Sequence, residues 1–455
     1  MKRRLIFGLV AVALCVNLAV GARIYLAAAE RAQEDSAYPS LETFAVVLEK
    51  VRRDHVDGDK LTYDELVRKA LKGMVQALDP HSEFLDVAEY KDLQEDTQGS
   101  FGGLGIVVSM RENFLTVVAP MEDTPGFRAG ILAGDRILEI DGKSTEKMSL
   151  QEAVRNLRGQ PGTEVTIKIQ RPSTGMVKEL RLTRALINID LVKDINGKRE
   201  FPLGEDKIGY IRIVQFGERT GAELEAAIKK LKSQGMQALI LDLRWNPGGL
   251  LDQAVDVCSK FLPRGKPIVS TEGRTPEQNT VRKARGNGDM LINKDGTPMP
   301  IVVLVNLGSA SASEIVAGCL QDLKRAIVLG EKTFGKGSVQ SILPLPDGSA
   351  LKLTTAIYYT PSHKAIHAQG ITPDIIVPMS EDDERNVMLQ RTPGGIEALD
   401  EKERVRVLAT RDIQLDRAID LLKGILIYTQ RQQKQNRQTA HANLLPYKGA
   451  ETLVR

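Results

Sequence analysis

Apolar side chains follow a helical period near the start of the chain. The stretches "SLETFAVVLEKVRRDHV" and "YDELVRKALKGMVQAL" place apolar residues three and four positions apart, which is the spacing of one face of a helix. Each stretch opens on a capping residue or an acid-rich first turn, as helices commonly do. We therefore predict a small helical segment over residues 38–90.

The pattern changes over residues 99–189, where glycines separate short runs of strand-forming residues. "FGGLGIVVSM" and "FLTVVAP" are predicted strands, and "EVTIKIQR" alternates apolar and polar side chains as a half-buried strand does. "SLQEAVRNLRG" is a predicted helix whose capping box runs from Ser149 to Glu152 and whose stop signal is Gly159. We predict that these residues form a domain of their own.

From about residue 207 predicted strands and helices alternate. The strands "IGYIRIVQF", "ALILDLRWN" and "PIVVLVN" are separated by the helical stretches "GAELEAAIKKLKSQG" and "GGLLDQAVDVCSKFL". Alternation of this kind predicts an α/β domain. Residues 381–455 form a charged tail, in which "RDIQLDRAIDLLKGIL" is a predicted amphipathic helix. The polar stretch "TQRQQKQNRQTAHAN" that follows is expected to be mobile.

The first residues have the pattern of an export signal. "MKRR" precedes an apolar run over residues 5–22, and small residues at 27–29 offer a cleavage site. The apolar run is also about long enough to span a bilayer. Residues 1–29 are therefore a cleaved signal peptide or a retained membrane anchor, and in both cases the rest of the chain is exported.

Composition excludes some partners. The chain has 455 residues with 42% apolar and 4% aromatic side chains, and so few aromatic residues argue against a base-stacking nucleic-acid platform. The net charge of +3 is spread over interspersed acids and bases and favours no polyanionic partner. Cys258 and Cys319 lie in helix-like apolar patterns and are predicted to be free, buried thiols. His363 and His367 have a strand-and-loop context, so we expect no metal site there.

The motif "GSASASE" places Ser309, Ser311 and Ser313 where a predicted strand turns into a helix. Ser311 and Glu314 match the S-x-x-E capping box, which is the simpler interpretation. The same helix end would present unpaired N–H groups to a developing oxyanion. A serine there could be a nucleophile if a base removed its proton, and no histidine is placed to do so.

Lys336 in "GEKTFGKGSVQ" is the candidate base. A lysine can replace histidine in this chemistry if burial lowers the pKa of its amine. The alternatives are an exposed lysine in a glycine turn and a phosphate-binding loop. We reject the phosphate loop because Gly337 stands where that loop needs Ser or Thr, and because a strand, not a helix, is predicted next.

The stretch "LDLRWNPGG" ends a buried strand in a glycine turn. Such a turn is common and by itself needs no functional explanation. A glycine N–H at the end of a strand can, however, donate a hydrogen bond to an oxyanion.

Together and in this order, the motifs resemble the carboxy-terminal processing peptidases, the tail-specific serine proteases of family S41. The matching stretches include "LDPHSEFL", "GLGIVV", "LDLRWNPGGLL", "GSASASEI", "GEKTFGKGSVQ", "TTAIYYTPS" and "GITPDIIV". The resemblance covers nearly the whole mature chain. It implies an α/β protease core over residues 190–380 with a crotonase-like sheet arrangement, and no cofactor or metal.

The resemblance also assigns roles to residues of this sequence. It implies that Ser311 is the nucleophile, that Lys336 is the general base, and that Gln340 orients the lysine. Glu314 would then be structural, in agreement with the capping motif.

The resemblance places the oxyanion donors at the amide of Ala312 and at a glycine amide of "NPGG". Both Gly248 and Gly249 remain candidates, with a slight preference for Gly248. Trp245 departs from the family, which usually has Asn at this position, and it puts the local shape of the turn in doubt.

Residues 99–189 resemble a PDZ domain inserted before the protease core. The resemblance implies that backbone N–H groups in "GGLGI" hold the terminal carboxylate of a peptide, namely those of Leu104, Gly105 and Ile106. The peptide would then add as a strand to the edge of the sheet. Val154 and Leu157 would shape the pocket for its last side chain, although Leu157 is as readily an ordinary core residue.

We therefore predict an exported serine endopeptidase that cleaves proteins with apolar, unstructured C-termini near those termini. The main alternative is a PDZ scaffold that has lost catalysis, and a lipid or acyl-group hydrolase is a weaker one. We expect no nucleic-acid partner. Membrane association through the N-terminus, a homo-oligomer and an adaptor protein all remain open.

Overall fold

The computed structural model describes residues 18–20, 23, 37–111, 113–121, 124–132, 134–172, 174–293, 295–391, 395–396 and 399–443. The chain separates into two compact units, Met1–Asp86 and Val87–Arg455. Apart from residues 18–20 and 23, the predicted export segment lies outside the described residues. Within the described part of the chain, no helix combines the length and the apolar character that crossing a membrane requires.

The first unit contains the predicted helices. Its elements are helix α1 (Ala37–Asp54), a 3-10 turn (Gly58–Lys60), helix α2 (Tyr63–Gln76) and strand β1 (Glu83–Leu85). Helix α2 begins at a capping box, because the Thr62 side chain accepts the Glu65 N–H and the Glu65 carboxylate accepts the Thr62 N–H. The two stretches with a helical period therefore form helices, and strand β1 follows them within the predicted segment.

The second unit begins with the glycine-rich region. Its elements are helix α3 (Val87–Gln98) and strands β2 (Ser100–Gly103), β3 (Ile106–Arg111) and β4 (Phe114–Pro120), helix α4 (Pro125–Arg128), strands β5 (Arg136–Ile140) and β6 (Lys143–Ser144), helix α5 (Leu150–Leu157), and strands β7 (Glu164–Arg171), β8 (Met176–Thr183) and β9 (Ala185–Asn188). An antiparallel sheet has the order β3-β4-β5-β7-β8, so β3 lies at its edge. Strands β2 and β9 pair as a separate ribbon where the chain enters and leaves this region. The predicted cap of α5 forms, since the Ser149 side chain accepts the Glu152 N–H.

A mainly parallel sheet forms the centre of the unit. Its strands are β10 (Val192–Lys193), β11 (Ile208–Ile213), β12 (Ala238–Asp242), β15 (Ile301–Val305), β16 (Ile327–Gly330) and β19 (Ile375–Ile376), in the spatial order β10-β11-β12-β15-β16-β19. Only β10 runs antiparallel to its neighbour. Every residue of β11, β12 and β15 is buried, as expected for parallel strands covered on both faces.

Helices cover the two faces of this sheet. One face packs against helices α6 (Thr220–Ser233), α7 (Leu251–Ser259) and α8 (Ala312–Asp322). Cys258 and Cys319 lie in that core as free, buried thiols, as predicted. Burial raises the pKa of Cys258 well above its usual value, which keeps this thiol protonated and unreactive.

A second sheet is antiparallel. Its strands are β13 (Pro267–Gly273), β14 (Thr280–Lys283), β17 (Ser338–Pro344) and β18 (Ala350–Tyr359). Strand β18 pairs with β13 and with β17. Because β17 begins two residues after Lys336, this sheet fixes the loop that carries the predicted base.

The C-terminal segment is helical. It contains helices α9 (Glu381–Gln390), α10 (Glu401–Ala409) and α11 (Ile413–Asn443). Helix α11 covers the second face of the parallel sheet with Leu415, Ala418 and Leu422. The polar stretch "TQRQQKQNRQTAHAN" continues this helix to Asn443, and its mobility stays a prediction.

Candidate active site

Ser311 lies at the junction between strand β15 and helix α8. It occupies the N-cap position of the helix with φ 55° and ψ −113°, a combination that a residue with a side chain adopts only under strain. Serine nucleophiles of other hydrolases sit on similarly strained strand-to-helix turns, because such a turn exposes the hydroxyl. The position of Ser311 is therefore compatible with both roles that the sequence left open.

The carboxylate of Glu314 connects the serine turn to the lysine loop. Its Oε2 accepts the Ser311 N–H at 2.8 Å and the Lys336 N–H at 2.9 Å. Its Oε1 accepts the Thr333 hydroxyl at 2.5 Å and the Gly335 N–H at 2.7 Å. Burial raises the pKa of Glu314, while these four hydrogen bonds act in the opposite direction. Sequence analysis identified Glu314 as structural but did not anticipate that it holds both loops.

Lys336 lies in the loop between β16 and β17. The Tyr358 hydroxyl donates a hydrogen bond to its carbonyl oxygen. The next residue must be glycine, because a Cβ on Gly337 would lie 2.2 Å from the backbone nitrogen of His367. The close approach of the two backbones therefore explains why residue 337 is glycine, whereas phosphate-binding loops have Ser or Thr at this position.

A cleft of about 530 Å³ brings most of the predicted catalytic residues together. Its lining includes Ser311, Ala312, Lys336, Gln340 and Gly249. Helix α3 and strand β17 contribute to its walls. The predicted nucleophile and base therefore face one solvent-accessible space that is large enough for a peptide segment.

The amide of Gln340 is held by its own sheet. Its nitrogen donates to the Ser338 hydroxyl at 2.9 Å and to the Thr354 hydroxyl at 3.4 Å. These bonds orient the carbonyl oxygen of the same side chain, which is the atom that could accept a hydrogen bond from a lysine amine.

The two glycines of the turn have different surroundings. The Gly248 N–H donates to the side-chain oxygen of Asn246 at 2.9 Å, and a Cβ on this glycine would lie 2.7 Å from the Ser311 Cβ. Gly249 is exposed, whereas Gly248 is buried. Within the described part of the chain, the N–H groups of Gly249 and Ala312 have no acceptor. These two amides are therefore available to an oxyanion, while Gly248 keeps its backbone close to the serine.

Sequence analysis gave no role to Tyr358. Its ring is 2% exposed and lines the cleft. Burial raises the pKa of its hydroxyl, and the neighbouring Ser311 side chain acts to lower it. The stretch "TTAIYYTPS" marked a strand of the family pattern, but nothing in it distinguishes Tyr358 from the neighbouring Tyr359.

Buried ion pairs hold the strand end that leads to the glycine turn. Arg244 is fully buried and pairs with Asp242 at 2.7 Å and with Asp412 at 2.8 Å. Arg391 also pairs with Asp412, at 3.1 Å. Burial acts to raise the pKa of Asp242, but the guanidinium groups of Arg244 and Arg212 and the Tyr210 hydroxyl act against it, and the net pKa is lowered. The C-terminal segment thus supplies a counter-charge, Asp412, to the strand end before the glycine turn.

Comparison with known proteins supports the family suggested by the motifs. The model of peptidase family S41 matches residues 207–377. A carboxy-terminal-processing protease of Bartonella bacilliformis is 44% identical over 385 residues, which is 83% of this chain and 83% of that protein. This chain belongs to peptidase family S41.

This chain is also similar to a second curated protein and to a solved structure. A carboxyl-terminal-processing protease of Synechocystis sp. is 40% identical over 312 residues, 68% of this chain and 70% of that protein. The solved photosystem II D1 C-terminal processing protease is 29% identical, with a TM-score of 0.42 over 77% of this chain and 97% of that one. The PDZ model matches residues 116–171. The chain is a C-terminal-processing serine peptidase with a PDZ domain.

The loop of this PDZ domain that we predicted to bind a carboxylate lies between β2 and β3. Gly105 has φ 68°, and a Cβ there would lie 2.3 Å from the Thr124 side chain. Among the described residues, none accepts a hydrogen bond from the N–H groups of Leu104 or Gly105. The predicted Ile106 opens the edge strand β3.

The two predicted pocket residues of helix α5 differ in burial. Leu157 is 5% exposed and belongs to the PDZ core, which favours the core interpretation that we left open. Val154 is half-buried. Of the two, Val154 is the side chain that a bound peptide could reach.

Proposed function

We propose that this S41 peptidase hydrolyses peptide bonds through a Ser311–Lys336 dyad. In its neutral form the lysine amine takes the proton from the Ser311 hydroxyl as the oxygen attacks the scissile carbonyl carbon. The tetrahedral oxyanion collapses and expels the leaving amine, which receives the proton from the lysine. The remaining acyl-serine ester is attacked by a water that loses a proton to the same amine. The ester C–O bond then breaks, the acyl group leaves as a carboxylic acid, and the lysine returns its proton to the Ser311 oxygen.

The shared acceptor at Glu314 is the observation that carries this proposal. Because one carboxylate oxygen accepts both the Ser311 and the Lys336 N–H, the two backbone nitrogens are no farther apart than the sum of those two bond lengths. Both side chains also line one cleft. Two residues held this close at the backbone can bring a hydroxyl and an amine within reach of each other.

The oxyanion hole in this proposal consists of the Ala312 and Gly249 N–H groups. Both lie on the cleft and have no acceptor within the described residues. Ala312 also begins helix α8, whose dipole favours negative charge at this end. Gly248, our slight initial preference, instead supports the Ser311 backbone. Gln340 would accept a hydrogen bond from the lysine amine through its carbonyl oxygen.

The crotonase-like arrangement of the core and the export of the chain are parts of the same proposal. The parallel sheet with helices on both faces is compatible with the former. The cationic start followed by the apolar run over residues 5–22 supports the latter. An exported enzyme of this kind would meet protein substrates outside the cytoplasm.

We propose further that the PDZ domain binds the C-terminus of the substrate. The N–H groups of Leu104 and Gly105 can receive a carboxylate, since successive free N–H groups form an anion-binding concavity. Strand β3 is an edge strand that can accept the peptide backbone. Val154 would contact an apolar last side chain.

Peptide binding at this domain can affect the cleft through helix α3. Arg158, directly after helix α5, pairs with Asp96 of α3 at 3.2 Å, and Arg155 lies 3.7 Å from Glu89 and 3.8 Å from Asp92. Helix α3 lines the catalytic cleft. A peptide that displaces α5 would therefore also displace one wall of the active site.

The full chain and its Ser311→Ala and Lys336→Ala variants test the dyad on a protein with an apolar C-terminal tail. Mass spectrometry of the products should show cleavage near the tail for the wild type and none for either variant. Activity that survives Lys336→Ala would refute the dyad. Gly105→Ala should reduce cleavage of a tailed peptide but not of the same peptide with an amidated C-terminus, and equal turnover of both peptides by the wild type would count against the PDZ role.

A further inference from the structure

Trp245 occupies a backbone conformation that a tryptophan does not favour. Its φ is 57°, in the left-handed region that Asn adopts readily and bulky residues rarely adopt. This is the position where the motif comparison expects Asn. The residue opens the turn that contains Gly248 and Gly249, so the contacts that hold Trp245 in place also act on that turn.

A carboxylate of the C-terminal segment holds the tryptophan. The indole N–H of Trp245 donates to Glu384 Oε1 at 3.0 Å. The Asn306 side chain donates to the same Glu384 oxygen, and its own oxygen accepts the Trp245 backbone N–H at 2.9 Å. Glu384 lies on α9, beyond the residues that match the S41 model.

The surroundings of the indole ring add to this restraint. The guanidinium groups of Arg244 and Arg212 lie 5.0 Å and 5.3 Å from the ring centroid. Cation–π contacts at these distances are attractive when the groups are buried. These contacts restrain the plane of the indole ring, whereas the hydrogen bond to Glu384 restrains the rotation of the ring.

The restraint reaches the catalytic elements through the next residue, Asn246. Its side-chain oxygen accepts the Gly248 N–H at 2.9 Å. Its carbonyl oxygen accepts the Ala310 N–H at 3.0 Å and the Ser313 hydroxyl at 2.9 Å. Asn246 therefore forms hydrogen bonds both with the glycine turn and with the start of helix α8.

We infer that Glu384 is a positioning residue for the oxyanion turn and acts through Trp245 and Asn306. The inference rests on the proposed oxyanion hole of Ala312 and Gly249. Where an Asn would hold the left-handed turn by itself, this chain has a Trp whose strain must be offset from outside the turn. Loss of the carboxylate lets the turn relax and moves the Gly249 N–H away from the developing oxyanion.

The experiment compares Glu384→Ala, Glu384→Gln, Trp245→Asn and the double variant Trp245→Asn/Glu384→Ala in the full chain. Glu381→Ala, at an exposed position of the same helix, is the matched control. Steady-state kinetics on a peptide with an apolar C-terminus give kcat and KM separately, and thermal unfolding reports folding. Glu384→Ala should lower kcat by about 10- to 100-fold with KM changed by less than about 3-fold.

The other variants identify the route of the effect. Glu384→Gln keeps an oxygen acceptor and should stay within about 3-fold of the wild-type kcat. In the Trp245→Asn background, Glu384→Ala should have little further effect, because Asn tolerates the left-handed turn. A wild-type kcat for Glu384→Ala overturns the inference, as does a loss that is equal in both backgrounds and parallels a fall in the unfolding temperature. Ser311→Ala is assayed alongside, since activity in that variant overturns the dyad and not the role of Glu384.

Discussion

Ser311 and Lys336 share one hydrogen-bond acceptor, the Oε2 atom of Glu314, to which their backbone N–H groups donate at 2.8 Å and 2.9 Å. The serine lies at a helix start and the lysine in a loop 25 positions later. One buried carboxylate therefore sets the distance between the two backbones before any substrate binds. The consequences can be measured.

Replacing Glu314 with Gln should damage both stability and catalysis. A carboxylate accepts four hydrogen bonds here, whereas an amide has one oxygen and would turn its NH2 group toward two of the donors. Leaving two buried donors unpaired should lower the free energy of unfolding by about 2 to 4 kcal/mol. Urea denaturation measures this loss, and kcat should fall with it because both loops are released.

Glu331→Gln is the control for this change. Glu331 is half-buried in the same loop region and accepts one N–H, from Met379, at 3.4 Å. Its replacement should alter the unfolding free energy by less than about 1 kcal/mol. Wild-type stability and kcat in Glu314→Gln would show that the shared carboxylate is dispensable.

Gly248→Ala should slow the reaction of Ser311 far more than Gly265→Ala does. The added Cβ would lie 2.7 Å from the Ser311 Cβ and 2.9 Å from the Ala312 nitrogen, at a φ of 99°. The serine turn must then move, and reaction with a fluorophosphonate probe should slow by about 100-fold or more. Gly265→Ala is matched to it, with φ 86° and open space around the Cβ. Equal labelling rates in the two variants would contradict the close packing of Gly248 on Ser311.

Tyr358→Phe should reduce kcat by about 10-fold and stability by about 1 kcal/mol. The change removes a hydroxyl that donates to the Lys336 carbonyl oxygen and lies beside the Ser311 side chain. Tyr359→Phe on the same strand should be neutral, because Tyr359 lies on the other face and stacks on His363. If both variants keep wild-type kcat, the hydroxyl of Tyr358 has no part in positioning the dyad.

Asp412→Asn should destabilise the fold by about 3 to 5 kcal/mol near neutral pH, because Arg244 and Arg391 lose a buried counter-charge. Burial acts to raise the pKa of Asp412, but Arg244 and the Leu415 N–H act against it, and the folded pKa lies below the usual value. The carboxylate therefore stabilises the fold above about pH 4, and this contribution disappears as the pH falls through the folded-state pKa.

Thermal unfolding from pH 7 to pH 2 tests this linkage. The gap between wild type and Asp412→Asn should narrow as the solution becomes acidic, because protonation makes the wild-type side chain neutral as well. Asp416→Asn breaks only an exposed pair with Arg411 and should cost less than about 1 kcal/mol at any pH. A gap that stays constant down to pH 2 would refute the lowered pKa.

Local patterns predicted the elements well. Alternation of strands and helices after residue 207 predicted an α/β domain, and the capping motifs at Ser149 and Ser311 placed helix starts correctly. These features depend on neighbours within four positions, so a single sequence contains the information. The polar end of α11 was missed because its composition resembles that of disordered segments.

Contacts between residues far apart in the chain could not be predicted from the sequence. Arg244 and Asp412 are 168 positions apart, and Glu384 reaches Trp245 across 139. Nothing in either local stretch indicates its partner. Similarly, the sequence could not decide whether Gly248 or Gly249 faces the cleft. The orientation of these adjacent glycines depends on contacts with other residues, such as the hydrogen bonds of Gly248 with the Phe216 N–H and the Asn246 side chain.

The shared carboxylate also limits how such an enzyme can be regulated. Separating Ser311 from Lys336, the proposed dyad, would break hydrogen bonds to the fully buried Glu314 carboxylate. Moving α3 relative to α5 would break only partly exposed ion pairs, each of which contributes about 1 kcal/mol or less. An activator or inhibitor should therefore act on access to the cleft and leave the catalytic pair assembled while the enzyme rests.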